Sequence, residues 1–364
     1  MIVLGIAMGE FASAALLRDG KLLGSSYEER FHRRKCYSGY PKKTIDYLLT
    51  ENNIQPPQIN KIMVMNQTQC GLEYAVVQRL SSFSIEDYVR EAHEYYKPIL
   101  FEGKEVKLLD VFRDKIQKDV FDNDIVEKLI SEGETNENSK ELRQTIIERH
   151  LGKNNTPIKF VEHHLSHAIY GYLYAPIGTK DALVFSADSF GDYSNSNVYR
   201  FKDGHIKVLH SGNTHNLGRL FRNITLAMGM KPYQHEYKVM GLAPYAAEKE
   251  SKKAQRVFDS FLTGFDEGEW KFNTQPKDHY FTFKKLLEGL RFDSIAGGLQ
   301  AHFEERLKEW FTFYIEENDD CDTVIFTGGL SMNVKANMLL AEIANKNEMQ
   351  FFAAPSGDDF SHCI

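Results

Sequence analysis

Three histidines fall within five residues, His163, His164 and His167, where a short strand (KFV) gives way to the apolar run AIYGYLY, which reads as a helix. His163 and His167 are four apart, so on a helix their rings share one face. Neutral imidazoles at that spacing can bind one metal ion, and an oxygen ligand must then come from elsewhere. Asp358 and Asp359, after a strand at 350–353, are carboxylates able to close such a set. The structural alternatives are capping or core histidines and a polar loop at a fraying end.

Four other stretches suit phosphate chemistry. Asp188-Ser189-Phe190-Gly191-Asp192 ends a buried strand, and a glycine there lets backbone N–H groups approach phosphate oxygens while the acid holds a metal or its waters. Thr327-Gly328-Gly329 lies between a buried strand and a helix beginning near Asn333, the layout of an anion site. In the run EYKVMGLAPY at 236–245, Lys238 can neutralise a phosphate. The run EERFHRRK at 28–35 holds enough positive charge for an anionic ligand. Each has a plain alternative: a turn, a tight strand–helix connection, a surface loop with an ordinary salt bridge, or a solvated face.

These residues need elements to hold them. An apolar strand at 2–7, a turn at Met8-Gly9-Glu10, the run SAALL, an Asp19-Gly20 turn and KLLGSS predict a strand and a hairpin. The design recurs with a strand at 183–187, the polar glycine loop at 188–192, SNVYRF, Asp203-Gly204 and HIKVLHS. Gly5 to Gly20 spans 15 positions and Asp188 to Gly204 spans 16. The repeat predicts a duplicated α/β unit with a cleft between two lobes, over 1–175 and 176–364. Helices are expected at 41–52, 216–228 and 333–344, with a long helical pattern over 275–310 that continues toward Glu317. Strands are expected at 61–65, 158–161 and 323–326. The charged stretch at about 83–153 reads as a largely helical insertion in the first lobe, with SEGETNENSKE (131–141) as an exposed loop.

The 364 residues are enough for two domains or two lobes around one cleft. Hydrophobic residues are 42% and charged residues 26%, which excludes wholesale disorder and a fibrous repeat. With 44 basic and 51 acidic residues the net charge is −7, which argues against a nucleic-acid binder. No apolar run is long enough to span a membrane, and the start reads as a strand, not a signal peptide. Four scattered cysteines without a CxxC pair fit a reducing, cytoplasmic setting. Nothing in the sequence fixes the oligomeric state, and a homodimer is compatible with it.

Several of these stretches together resemble the NodU/CmcH/TobZ O-carbamoyltransferase family: ASAALLRDGKLLGSSYEERFHRRK, VEHHLSHA, VFSADSFGD, LGRLFRNITLAMGMKPYQHEYKVMGLAPY, FTGGLSMNVKANMLL and the final GDD. The resemblance implies a TsaD-like domain with the duplicated actin/hexokinase-like (ASKHA, ribonuclease H-like) fold. It implies transfer of a carbamoyl group to a hydroxyl of a small-molecule acceptor, a sugar or natural product. The donor would be carbamoyl-adenylate, made from ATP and carbamoyl phosphate by a YrdC-like C-terminal domain that is expected to be absent from this chain. It implies a divalent metal, with Fe2+ expected, although a His/His/Asp set alone does not separate iron from zinc or manganese.

Carried over by motif, His163, His167 and Asp359 would be the metal ligands, Asp359 fitting the family spacing better than Asp358. Asp188 and Gly191 would lie beside the nucleotide phosphates. Lys238, Met240 and Gly241 would line the nucleotide pocket, and Gly328, Gly329 and Asn333 would hold phosphate or ribose. Arg30 and Lys35 would face the anionic end of the carbamoyl donor. The chain departs from the family where Gly9-Glu10-Phe11 replaces a Gly-His-Asp, so the base expected beside the acceptor hydroxyl is Glu10, or a histidine such as His163 or His164. It departs again at the end, where Ile364 stands in place of a helix start. Two rival readings remain from the sequence: TsaD-like threonylcarbamoyl transfer to tRNA, and a non-catalytic nucleotide- or metal-binding fragment that needs a further domain.

Overall fold

Asp19 and Gly20 both take positive φ (51° and 77°), and so do Asp203 and Gly204 (49° and 75°). Two consecutive positive-φ residues match the twist of the strands they join, so each Asp-Gly pair closes a tight hairpin. In the computed structural model, which describes residues 1–153 and 155–364, these hairpins are the outer strands of two sheets. The first lobe contains β1 (Ile2–Ala7), β2 (Ser13–Arg18), β3 (Lys21–Tyr27), β4 (Lys61–Met65) and β5 (Ile158–Val161), in the order β3-β2-β1-β4-β5. The second contains β6 (Asp181–Gly191), β7 (Ser194–Lys202) and β8 (His205–Gly212). A separate two-stranded ribbon, β9 (Leu262–Asp266) and β10 (Glu269–Phe272), precedes β11 (Thr323–Thr327) and β12 (Gln350–Ala353). The second sheet runs β12-β11-β6-β7-β8, the same order as the first. In each, the hairpin strands are antiparallel and the two later strands parallel. The outer pairing of each hairpin carries a register shift, between Leu16 and Leu17 in one and between Val198 and Tyr199 in the other. The fold is therefore a duplicated α/β unit of the actin/hexokinase type.

The two halves exchange covering elements. Helix His163–Leu173 follows the first sheet in sequence but packs on β6, β7 and β11 of the second, with Ala168 against Ala182, Val184 and Ile325. The terminal turn Asp359–Cys363 packs back on β1, β2 and β4, with Cys363 against Ala7, Ala15 and Met65. Gly5 makes this docking feasible: a Cβ there would lie 1.8 Å from the Cys363 carbonyl oxygen.

Three local expectations differ from the structure. The strand ending at 187 continues as β6 to Gly191, bulged between Ala187 and Gly191, so Asp188 projects from a strand rather than a free loop. The 275–310 pattern divides into helices His279–Leu286 and Phe292–Glu316, separated by a turn with Gly289 at φ 83°. Run 236–245 begins as helix Glu236–Leu242.

The insertion is helical, but the 131–141 stretch is not simply exposed. Glu134 is buried and accepts hydrogen bonds from the backbone N–H groups of Cys70 (2.9 Å), Gly71 (3.0 Å) and Leu72 (2.7 Å) and from Ser139 Oγ (2.7 Å). It closes the N-terminus of helix Leu72–Val76. Burial and this neighbouring carboxylate lift Glu73 from 4.5 to about 7. A carboxyl raised on folding retains a proton that the unfolded chain has lost, so stability declines as pH rises from 4.5 to about 7 and stays reduced above. Glu73→Gln is expected to be stabilising by about 1–2 kcal/mol at pH 8 and neutral at pH 4, read from urea unfolding at both pH values. An equal effect at the two would refute the assignment.

Candidate functional site

Helix His163–Leu173 begins with Glu162 as N-cap, its carboxylate accepting from the N–H groups of His164 and Leu165. This fixes where the helix starts and therefore which way the histidines face. Four groups converge there: one ligand atom from each of His163, His167, Asp359 and His362 lies within 4.8 Å of the others. His362 stacks its ring edge 4.4 Å from His163 and 4.0 Å from His167, centroid to centroid. The first two come from the helix over the second sheet, the last two from the turn docked on the first.

The donor set fits a divalent metal by its tautomers as well as its spacing. His163 Nδ1–H donates to Asn66 Oδ1 at 3.0 Å, and His362 Nδ1 lies 3.2 Å from the Met65 sulfur, itself only an acceptor. Nε2 is therefore the atom each ring turns to the centre, where His163 sheds its second proton when a metal binds, and among the described residues these buried Nε2 atoms have no hydrogen-bond partner. Asp188 lies alongside, its Oδ2 3.4 Å from His167 Nε2 and 3.9 Å from His163 Nε2. Electrostatics divide the cluster. Burial pulls His163 down, but Asp188 and Asp359 outweigh it and lift it to about 9. Burial and the nearby His163 hold His167 near 4. Burial, helped by the Asp188 charge, pushes Asp359 upward, while the histidines hold Asp188 well below the usual carboxylate range.

Glycines make the room. A Cβ on Gly191 would lie 2.2 Å from the His163 ring, so this residue seats the imidazole rather than a phosphate. Gly328, at φ 84°, lets β11 approach β6, where a Cβ would meet the Ala187 carbonyl oxygen at 2.3 Å. Gly329 N–H then donates to Asp188 Oδ2 at 3.1 Å. Glu10 is held beyond this group by the tight approach of Gly9 to Cys70. Its side chain is 22% exposed, 3.3 Å from an Arg79 nitrogen, and burial raises its pKa against the pull of Arg79 and Arg222.

Other expected residues are placed differently. His164 is fully buried with Nδ1 2.8 Å from Ser186 Oγ in β6, so it serves the sheet and cannot touch a substrate. Asn333 caps helix Val334–Lys346 and exchanges two hydrogen bonds with Gln300, both 3.0 Å, which commits both ends of its amide to the scaffold. Arg30 and Lys35 are exposed on and after helix Glu29–His32, and Lys238 and Gly241 are exposed on helix Glu236–Leu242 with Met240 half-buried. Around Gly241 there is open space where a side chain would stand. Lys35, Lys231 and Lys238 are close enough to act together on His235, holding its pKa down after burial.

Two residues escape sequence reasoning, and Asp192 takes a different part from the rest of its stretch. His362 is signalled only by its position three after Asp359. Asn66 is a polar residue at positive φ (64°) ending a buried strand. Asp192 accepts from Gln67, Thr68 and the His163 N–H at 2.8, 2.8 and 2.9 Å, tying the β4 end to the histidine helix.

Among the described residues no helix is long and apolar enough to cross a membrane. An uncharacterized protein of Methanocaldococcus jannaschii is 23% identical over all of this chain and 56% of its own length. Nodulation protein NolNO of Sinorhizobium fredii is 25% identical over 71% of this chain and 31% of its own. The chain thus spans about half or less of the length of these relatives. The crystal structure of full-length HypF in its phosphate- and nucleotide-bound form superposes on all of this chain and 54% of HypF, with TM-score 0.52 at 9% identity, a likeness of fold alone. The carbamoyltransferase N-terminus model matches residues 3–361, and the chain belongs to that family.

Proposed function

We propose that this chain holds a carbamoyl donor nucleotide in its cleft and passes the carbamoyl group to a hydroxyl of a small-molecule acceptor. The observation that carries the reading is the convergence of His163, His167, Asp359 and His362 where the two halves meet, with Asp188 and the Gly328-Gly329 turn against it. These four residues would hold a divalent metal, which supplies Lewis-acid polarisation of an oxygen when bound. Glu10, with its raised pKa and partial exposure, is placed to take the proton of the acceptor hydroxyl. The basic residues Lys35, Lys231 and Lys238 offer charge for the donor phosphates. HypF, described as phosphate- and nucleotide-bound, supports nucleotide binding by a cleft of this fold.

From the family resemblance we assign carbamoyl-adenylate as the donor and Fe2+ as the metal. The test supplies the purified chain and Fe2+ with ATP, [14C]carbamoyl phosphate and an adenylate-forming carbamoyltransferase domain, then follows label into alkali-labile carbamates of an acceptor panel. Labelled product that requires this chain supports the reading, and its absence across the panel refutes it. Lys238→Ala is expected to weaken AMP binding about 10-fold, the size of one charge-assisted contact. Unchanged affinity in calorimetry would place the phosphates elsewhere.

A further inference from the structure

Helix Leu217–Ala227 carries two arginines that form no ion pair among the described residues. It starts against the end of the Asp188 strand, where a Cβ on Gly218 would lie 2.9 Å from Ser189 N. Its inward residues Leu217, Leu220, Phe221 and Ile224 are buried in the second core. Arg219 and Arg222, one turn apart, leave that core on another face. Arg219 lies over the half-exposed Phe190 ring at 4.8 Å, and Arg222 lies 5.3 Å from the Tyr233 ring and donates to the Tyr233 hydroxyl at 2.5 Å. Among the described residues neither guanidinium has a carboxylate in an ion pair. Four acids act on Arg222 by charge, and each bonds elsewhere: Glu10 and Glu91 to Arg79, Glu236 to the Tyr233 N–H and Asp278 to the Phe281 N–H. Tyr233 also accepts from Arg79 at 2.6 Å, and the same Arg79 nitrogen reaches Glu10.

Glu10 lies near enough to the metal-type cluster for its charge to act on Asp359, and bonds lead from it through Arg79 and Tyr233 to Arg222, with Arg219 one turn away. A half-buried guanidinium without an ion pair, as at Arg219, is costly unless an anion meets it, while Tyr233, Tyr96 and Glu91 keep Arg222 charged beside it. Burial and the adjacent Arg222 both lower the Arg219 pKa, as expected for like charges crowded together.

We propose that Arg219 and Arg222 form an anion subsite for the acceptor, so that the acceptor is a small hydroxyl compound bearing a carboxylate or a phosphate. The proposal rests on the transfer reading for the word acceptor, but the anion subsite stands on its own geometry. Seating the anion on these arginines places the rest of the molecule toward Glu10, where a hydroxyl can lose its proton.

Calorimetry on the purified chain with D-glucuronate, glucose 6-phosphate and methyl glucoside tests it, the two anions separating carboxylate from phosphate preference. At least one anion is expected to bind about 10-fold or more tighter than the neutral sugar. Arg219→Gln/Arg222→Gln is expected to erase that preference, and Arg219→Lys/Arg222→Lys to keep part of it. If the double glutamine variant does not fold, Arg219→Gln alone is the readout, since its side chain lies at the edge. No preference in the wild type, or a preference that survives in the glutamine variant, overturns the proposal. Loss in Lys238→Ala with retention in the glutamine variant overturns it too, by placing the anion in the donor loops. Anion preference without carbamate formation in the radiolabel assay keeps the subsite and sinks the transfer reading. Transfer to neutral acceptors with no anion preference does the reverse.

Discussion

Replacing His163 and His167 together by alanine is expected to reduce bound divalent metal from about one per chain to none, measured by elemental analysis after loading with Fe2+ under anaerobic conditions. Two of the four convergent donors then vanish, and His362 and Asp359, on one short terminal turn, remain without partners from the opposite sheet. A His/carboxylate pair alone binds weakly, because affinity depends on ligand number and preorganisation. Asn66→Leu is a gentler companion: it removes the acceptor that fixes the His163 tautomer and should cost about 10- to 100-fold in metal affinity while all four ligands remain. Unchanged metal content in the double variant would refute the centre. A double variant that unfolds would leave the Asn66 variant as the decisive measurement.

Arg79→Met is expected to destabilise the fold by about 3–5 kcal/mol, read by urea unfolding. Arg79 is buried, its Nε and one terminal nitrogen each 2.9 Å from a Glu91 oxygen, and Tyr74 and Tyr233 flank the guanidinium at 4.7 Å. Removing the cation leaves the Glu91 carboxylate buried and uncompensated, which costs more than the ion pair gained. The companion Arg79→Met/Glu91→Met removes both charges and should recover most of the loss. If the single variant loses less than about 1 kcal/mol, Glu91 is not held as a charge. If the double variant is no better than the single, the penalty lies in packing against the tyrosines instead.

Much of the scaffold was legible because it is built from local signals. Asp-Gly pairs bounded by apolar runs specify hairpins by their own φ preferences, and two such units specify a duplication. The HxxxH spacing specifies a shared face because a helix turns every 3.6 residues. Longer-range matters were misread: Glu134 looked like part of a solvated loop, yet three orphan N–H groups from another segment draw it inward. Asn333 looked like a ligand to phosphate, yet it caps its own helix and pairs with Gln300. His164 carried the same motif signal as its neighbours, but one helical step turned it into the sheet.

By itself, then, the sequence determined two like sheets, their hairpins, the helix bearing His163 and His167, and the glycine turns at the strand ends. Each depends on backbone preferences and periodicity within a few residues. Only the tertiary structure decided which donors complete the cluster. His362 and Asp359 reach the histidines because the terminal turn crosses to the first sheet and docks where Gly5 has no side chain. The arginines of helix Leu217–Ala227 acquire meaning the same way: nothing in their spacing shows that they form no ion pair and that the nearby acids bond elsewhere. Such facts depend on contacts between segments far apart in the chain, which pattern along the chain does not encode.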